Sequence, residues 1–281
     1  MRWLEMNHQQ INGLPRDVVC VLPIGAIEQH GPHLPVATDA LIAEAISTEL
    51  DVACDGELLI MPSINISLSQ HHLAFAGTLT IDHDTFRATV SQVIDSAFRH
   101  GFRRFFLINA HGGNIAQGAA TIEALTATMP DCEIVLATWF RAASNELRPL
   151  VEGEYPAVGH ACEFETSLIM AIRPDLVDRA TIADDGLTSA SSLLRGDMLS
   201  GARVTHSVPF DRITKTGVWG KPTFASAEKG RKILDATNSV LKKLLAVQWP
   251  DAPGVVPIDS SISQQTQELE AAADLAGRNT L

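Results

Sequence analysis

The chain has 281 residues, 46% hydrophobic and 19% charged, with a net charge of −12 at pH 7, which suits a soluble protein with a substantial core. The acidity, without any block of lysine and arginine, excludes a binder of nucleic-acid phosphates. No apolar run approaches the ~20 residues of a membrane crossing, and Met1 to His8 lacks a signal peptide's apolar centre, so a cytoplasmic location is expected.

Strand-like and helix-like segments alternate over residues 17–172. Residues 17–26 (DVVCVLPIGA) form a β-branched apolar run that predicts a strand buried on both faces. Asp39 is placed to cap a helix whose Ile42, Ile46, Leu50 and Ala53 follow helical spacing. Residues 58–66 read as a second strand that Pro62 interrupts. Asp84 opens a helix with Phe86, Val90, Val93 and Ala97 on one face, and Gly101 stands where a left-handed cap is needed.

Residues 103–110 (RRFFLINA) predict a strand, 114–129 a helix stopped by Pro130, and 132–140 (CEIVLATWF) another strand. This alternation implies βαβ units and a mainly parallel central sheet covered on both faces. Residues 180–220 are polar and glycine-rich, without a period, and read as loops near a site. Residues 226–247 predict an amphipathic helix. Residues 1–250 are expected to form a single domain. Residues 251–281 form a tail that packs on that domain or on a neighbouring subunit, with a short helix at 264–276. The four cysteines, Cys20, Cys54, Cys132 and Cys162, are scattered without a CxxC pair, which predicts buried free thiols.

The chemistry gathers at strand ends, where open α/β sheets bind ligands. The loop GAIEQHGPHLPVATD at 25–39 carries Glu28, His30, His33 and Asp39 between a strand and a helix. Carboxylate oxygen with imidazole nitrogen is the donor set for Zn²⁺, Mn²⁺ or Fe²⁺. Glu28 and His30 point to one side of an extended backbone, and Asp39 can swing back to bridge two cations.

The turn NAHGGN at 109–114 is glycine-rich with Asn114 as a helix N-cap, which accounts for every residue but His111. In GHACEFETS at 159–167, Glu163 and Glu165 face different ways on a helix, so one of them reaches a metal. A first-turn acid also complements the helix dipole, worth about 0.3 to 1 kcal/mol. His160, separate from both, can serve in proton transfer. Of the vicinal His71 and His72, consecutive side chains diverge, so one is expected to line the pocket.

These motifs, with SLSQHHLAFAGTLT at 67–80 and GVWGKP at 217–222, make the chain similar to the creatininase family of metal-dependent amidohydrolases over most of its length. The resemblance implies a three-layer α/β/α fold. It implies two divalent ions per subunit, Zn²⁺ first with Mn²⁺ or Fe²⁺ as alternatives, and a homo-oligomer, a hexamer by analogy. It also implies a small-molecule substrate hydrolysed at an amide, lactam or formamide C–N bond.

By motif position Glu28, His30, Asp39 and His111 match metal ligands, with Asp39 the bridging carboxylate. Creatinine-opening members carry a glutamate where this chain has Gly113, so the last ligand comes from elsewhere: Glu165 is chosen, with Glu163 the alternative. His33 is then assigned to the loop's own hydrogen bonding. His160 matches a histidine that shuttles protons to the leaving nitrogen, and Glu165 is counted with it as catalytic.

His72, Gly112, Gly113, Tyr155 and Trp219 are expected around the substrate, the two glycines through backbone amides that stabilise an oxyanion. The creatinine-opening members place a tryptophan near the position of Tyr155-Pro156. Both departures point away from creatinine itself, and a cyclitol ketone or a modified peptide is the alternative substrate. Two rivals are weaker. A Cys162 nucleophile would have its thiol pKa raised by Glu163 and Glu165, and a structural metal in a non-catalytic protein would favour cysteine ligands.

Overall fold

The computed structural model describes residues 1–154, 157–186, 196–201 and 206–257. After the short helix α1 (His8–Asn12), the chain enters β1 (Val19–Ile24), all six of whose residues are buried. Helix α2 (Thr38–Ala53) leads to β2 (Leu59–Ile60), and α3 (His83–Arg99) to β3 (Arg104–Asn109). Helix α4 (Ile115–Thr128) precedes β4 (Glu133–Thr138), and two single-turn helices follow, α5 (Trp139–Ala142) and α6 (Ser144–Leu147). The rest comprises β5 (Val158–His160), α7 (Glu163–Ile172), β6 (Trp219–Gly220) and α8 (Ala227–Gln248).

The first four strands form one parallel sheet in the order β2-β1-β3-β4. Period-two alternation divides its apolar residues between two cores. Val19, Val21, Phe106 and Ile108 face α2, α7 and α8, where Ile46, Leu168 and Leu241 meet them. Val18, Cys20, Phe105 and Leu107 face α3 and α4 through Phe86, Val90, Ile94 and Leu125. The expected three-layer α/β/α arrangement is therefore present. The pairings Ile24–Asn109 and Asn109–Thr138 set the carboxyl ends of β1, β3 and β4 level, so the loops that leave them share one edge. Strands β5 and β6 pair antiparallel apart from this sheet.

Several local expectations change. The second strand shrinks to Leu59–Ile60, consistent with Pro62 lacking a donor for a longer ladder. Helix α3 is capped by Asp82, which accepts from the Thr85 amide at 2.7 Å, not by Asp84. The fourth strand stops at Thr138, where α5 begins. Neither Asp39 nor Asn114 caps its helix with a side-chain bond, because both side chains are turned into the edge described below. Gly101 does take the left-handed conformation, at φ +97°.

All four cysteines are buried and free. No described helix is long and apolar enough to cross a membrane. Ala252 and Val255, at the start of the tail, pack in the α2–α7–α8 core, whereas the helix expected at 264–276 lies outside the described residues.

Candidate metal centre

Gly25 opens the site. A Cβ there would sit 2.6 Å from the Ala40 backbone, so the missing side chain lets the first turn of α2 close on the end of β1. Asp39 is thereby carried inward and buried. The loop between is held by the Glu28 amide bonding to the Val36 carbonyl at 2.9 Å. Ser67 Oγ also donates to the Gly25 carbonyl at 2.7 Å. Glu28, His30, Asp39, His111 and Glu165, drawn from the loops after β1 and β3 and the first turns of α2 and α7, converge here, all at most 5% exposed.

The histidines are oriented by the backbone. His30 Nδ1 donates to the Glu28 carbonyl at 3.1 Å, His111 Nε2 to the Leu68 carbonyl at 2.9 Å, and His160 Nε2 to the Gln29 carbonyl at 2.7 Å. A carbonyl can only accept, so in each neutral ring the other nitrogen is bare. Those bare nitrogens face carboxylates. His30 Nε2 lies 3.2 Å from Asp39 Oδ1 and 3.9 Å from Glu165 Oε1. His111 Nδ1 lies 3.2 Å from Glu28 Oε1 and 3.1 Å from Asp39 Oδ2, and His160 Nδ1 lies 3.6 Å from Glu28 Oε1.

Lone pairs aimed at carboxylates in a dry site repel unless positive charge lies between them. Both Glu28 carboxylate oxygens, His30 Nε2 and Asp39 Oδ2 are buried without a hydrogen-bond partner, which is costly for polar atoms removed from water. Without a cation, protons must serve. Burial alone would lower His30, but Asp39 and Glu165 carry it up to about 9. Burial raises Glu165 to about 7, against the pull of His30.

Divalent ions answer the same demand with the donors present. Glu28, His30 and Asp39 offer ligand atoms within 4.8 Å of one another, and Glu165 Oε1 lies 3.9 Å from His30 Nε2. A ring that donates its second N–H to a carbonyl is also the usual arrangement around a protein-bound metal. The residues fit the group.

Other expected residues divide. The Glu163 carboxylate turns the opposite way along α7, accepting from the Glu152 amide at 2.9 Å and the Gly153 amide at 3.1 Å and pairing with buried Lys229. That geometry removes it from the metal alternatives. Glu165 Oε2 accepts from the Cys162 amide at 3.4 Å, which leaves Oε1 for the centre. His33 bonds outside its own loop, to Thr166 Oγ1 at 2.8 Å, and so ties the loop to α7. Cys162 is fully buried against Met198 Sδ at 3.8 Å, and burial followed by Glu165 pushes its thiol far up, which argues against a nucleophile.

A cavity of about 350 Å³ exposes the centre, and Gly112, Gly113, His160 and Trp219 line it. A Cβ at Gly113 would fall 2.4 Å from both His111 Nε2 and the Leu68 carbonyl, so that glycine protects the bond orienting His111. Gly112 has open space at its Cα. His71 and His72 both reach the cavity, one more than expected. They do so because a 3-10 turn at Gln70–His72 tucks His72 inward and leaves His71 stacked on His111 at 5.7 Å. Tyr155 lies outside the described residues.

Two participants escape a reading of the sequence. Gln29 is buried between Glu28 and His30, and its amide donates to His72 Nδ1 at 2.8 Å and to the Gly217 carbonyl at 3.2 Å. His72 therefore carries its proton on Nε2, 3.5 Å from Glu28 Oε1, as a donor and not a ligand. The 3.1 Å approach of Gln29 Nε2 to His160 Nε2 then brings two donors together and is no bond. Phe210 packs on His72 with ring centroids 4.2 Å apart, from a stretch with no period to reveal it.

The chain is similar to known proteins over most of its length. A family profile described as creatininase, creatinine amidohydrolase, matches residues 4–245. The mycofactocin precursor peptide peptidase of Mycobacterium ulcerans (strain Agy99) is 30% identical over 220 residues, covering 76% of this chain and 78% of that one. The creatinine amidohydrolase of Pseudomonas putida is 32% identical over 184 residues, covering 60% and 69%. A crystal structure of creatinine amidohydrolase (creatininase) superposes with a TM-score of 0.74 at 26% identity, covering 89% of this chain and 98% of that one.

Proposed function

The chain belongs to the creatininase family of metal-dependent hydrolases, and from that premise we propose that it is a binuclear amidohydrolase cleaving a C–N bond of a small amide, lactam or formamide. Glu28, His30, Asp39, His111 and Glu165 would hold two divalent ions. Mixed oxygen and nitrogen donors suit Zn²⁺ first and Mn²⁺ or Fe²⁺ as alternatives. The observation that carries this reading is the set of bare imidazole nitrogens fixed by backbone carbonyls against buried, unpartnered carboxylates.

Ions held there supply Lewis acidity, which polarises a carbonyl oxygen and acidifies water near neutral pH. The protein's own groups do the rest. His160, its Nε2 proton pinned to Gln29, presents Nδ1 as the base that takes a proton and returns it to the leaving nitrogen. The Gly112 amide, beside open space, stabilises the oxyanion with Gly113. Trp219 and His72 flank the substrate.

Gly113 in place of a glutamate argues against creatinine as the substrate. Similarity to a precursor-peptide peptidase favours a modified peptide as the second reading. Assembly as a homo-hexamer in the cytoplasm completes the proposal and rests on the family resemblance.

Metal analysis with a hydrolysis screen over lactams, formamides and small amides tests the proposal. Metal uptake with turnover of one class supports it. A chain that takes up no divalent ion and hydrolyses none of them contradicts it.

A further inference from the structure

The cavity over the metal centre also takes in Arg141. This residue belongs to α5, which continues from β4 at the same level edge of the sheet. Its guanidinium forms no ion pair among the described residues, and its Nε is buried without a hydrogen-bond partner. The Phe140 ring lies beside it, 6.0 Å from the guanidinium carbon to the centroid.

Asp197 is the acid that influences Arg141, but it is engaged elsewhere. Its carboxylate accepts from the Ser200 amide at 2.7 Å and Ser200 Oγ at 2.8 Å, and it pairs with Arg148 at 3.4 Å. Room for the cation comes from Gly201, at φ +70°, where a Cβ would fall 2.4 Å from both Nη atoms. Burial pulls the Arg141 pKa down and Asp197 pulls it back up, and an arginine stays charged at any working pH.

A charged fork held in a cavity wall with donors unspent calls for an anion from outside, and planar guanidinium matches a carboxylate or phosphate in bidentate fashion. We propose that Arg141 forms an anion subsite, so that the substrate carries a carboxylate or phosphate group remote from the C–N bond that is cleaved. The subsite rests on the hydrolase reading above and narrows it to anionic substrates.

The test titrates the zinc-loaded chain calorimetrically with three ladders of increasing chain length: N-acetyl-ω-amino acids, the matching uncharged carboxamides, and N-acetylaminoalkyl phosphates. At the best length an anionic ligand is expected to bind roughly ten- to a hundredfold tighter than its neutral twin. The winning ladder assigns carboxylate or phosphate. Arg141→Met is expected to erase the gap, and Arg141→Lys, which keeps the charge and loses the fork, to retain part of it.

Equal affinity for charged and neutral twins at every length overturns the subsite. So does a gap that survives intact in Arg141→Met, which places the anion on the ions instead. Should Arg141→Met fail to fold, the wild-type twins and Arg141→Lys decide. Hydrolysis is scored separately: anionic ligands bound but never cleaved leave the subsite standing and count against the hydrolase. Cleavage without preference keeps the hydrolase and removes the subsite.

Discussion

Two glutamates on one helix turn show how the molecule separates chemistry from support. Glu163 and Glu165 open α7 two residues apart, and both are buried. Glu163 is saturated by two backbone amides and the Lys229 ammonium, whereas Glu165 keeps an oxygen free toward His30. A buried carboxylate with all its partners holds a fold together. One left short of partners beside an imidazole is open to a ligand.

That contrast can be broken from either side. Lys229→Met leaves Glu163 buried and uncompensated, and is expected to cost about 3 to 5 kcal/mol of stability while the folded fraction keeps its metal. Denaturant unfolding with metal analysis checks both. His30→Ala strikes the other side: metal affinity and turnover fall by more than about a hundredfold, beyond the loss typical of a group that only orients a ligand. Gly113→Ala sits between, because its Cβ strikes the His111–Leu68 bond. It should weaken metal binding by about 10- to 100-fold, read by competition with a chelator.

The smallest effect concerns the turn before Trp219. Burial opposes ionisation of Asp185, but hydrogen bonds from Thr216, Gly186 and Thr214 hold its carboxyl down to about 2. A folded pKa below the unfolded value near 3.9 gives stability that is full above about pH 4 and is lost as pH falls through about 2. Asp185→Asn should remove that part of the acid limb and loosen the turn before Trp219, as followed by its fluorescence.

How much of this was legible follows from the range of each interaction. The alternation in β1 and the motif at 25–39 are local, so the strand, the sheet edge and Glu28, His30 and Asp39 could be read in order along the chain. The divergence of Glu163 from Glu165 was legible from helical spacing, though the choice between them was not. It depends on Lys229, 66 residues away. His33 meets Thr166 across 133 residues, and Gln29 meets Gly217 across 188. Arg141 and Phe210 acquire meaning only where α5 and the segment before β6 line one cavity. Asp39 and Asn114 each stand in a local cap pattern, and tertiary partners claim their side chains instead.

Whether the buried carboxylates and bare imidazoles are a metal centre is read out by stripping the chain with a chelator, restoring it with zinc, and counting bound ions in the wild type and in Asp39→Ala. Two zinc ions per chain are expected in the wild type, with metal and turnover lost together in Asp39→Ala. An Asp39→Ala chain that keeps both ions and full turnover contradicts that expectation.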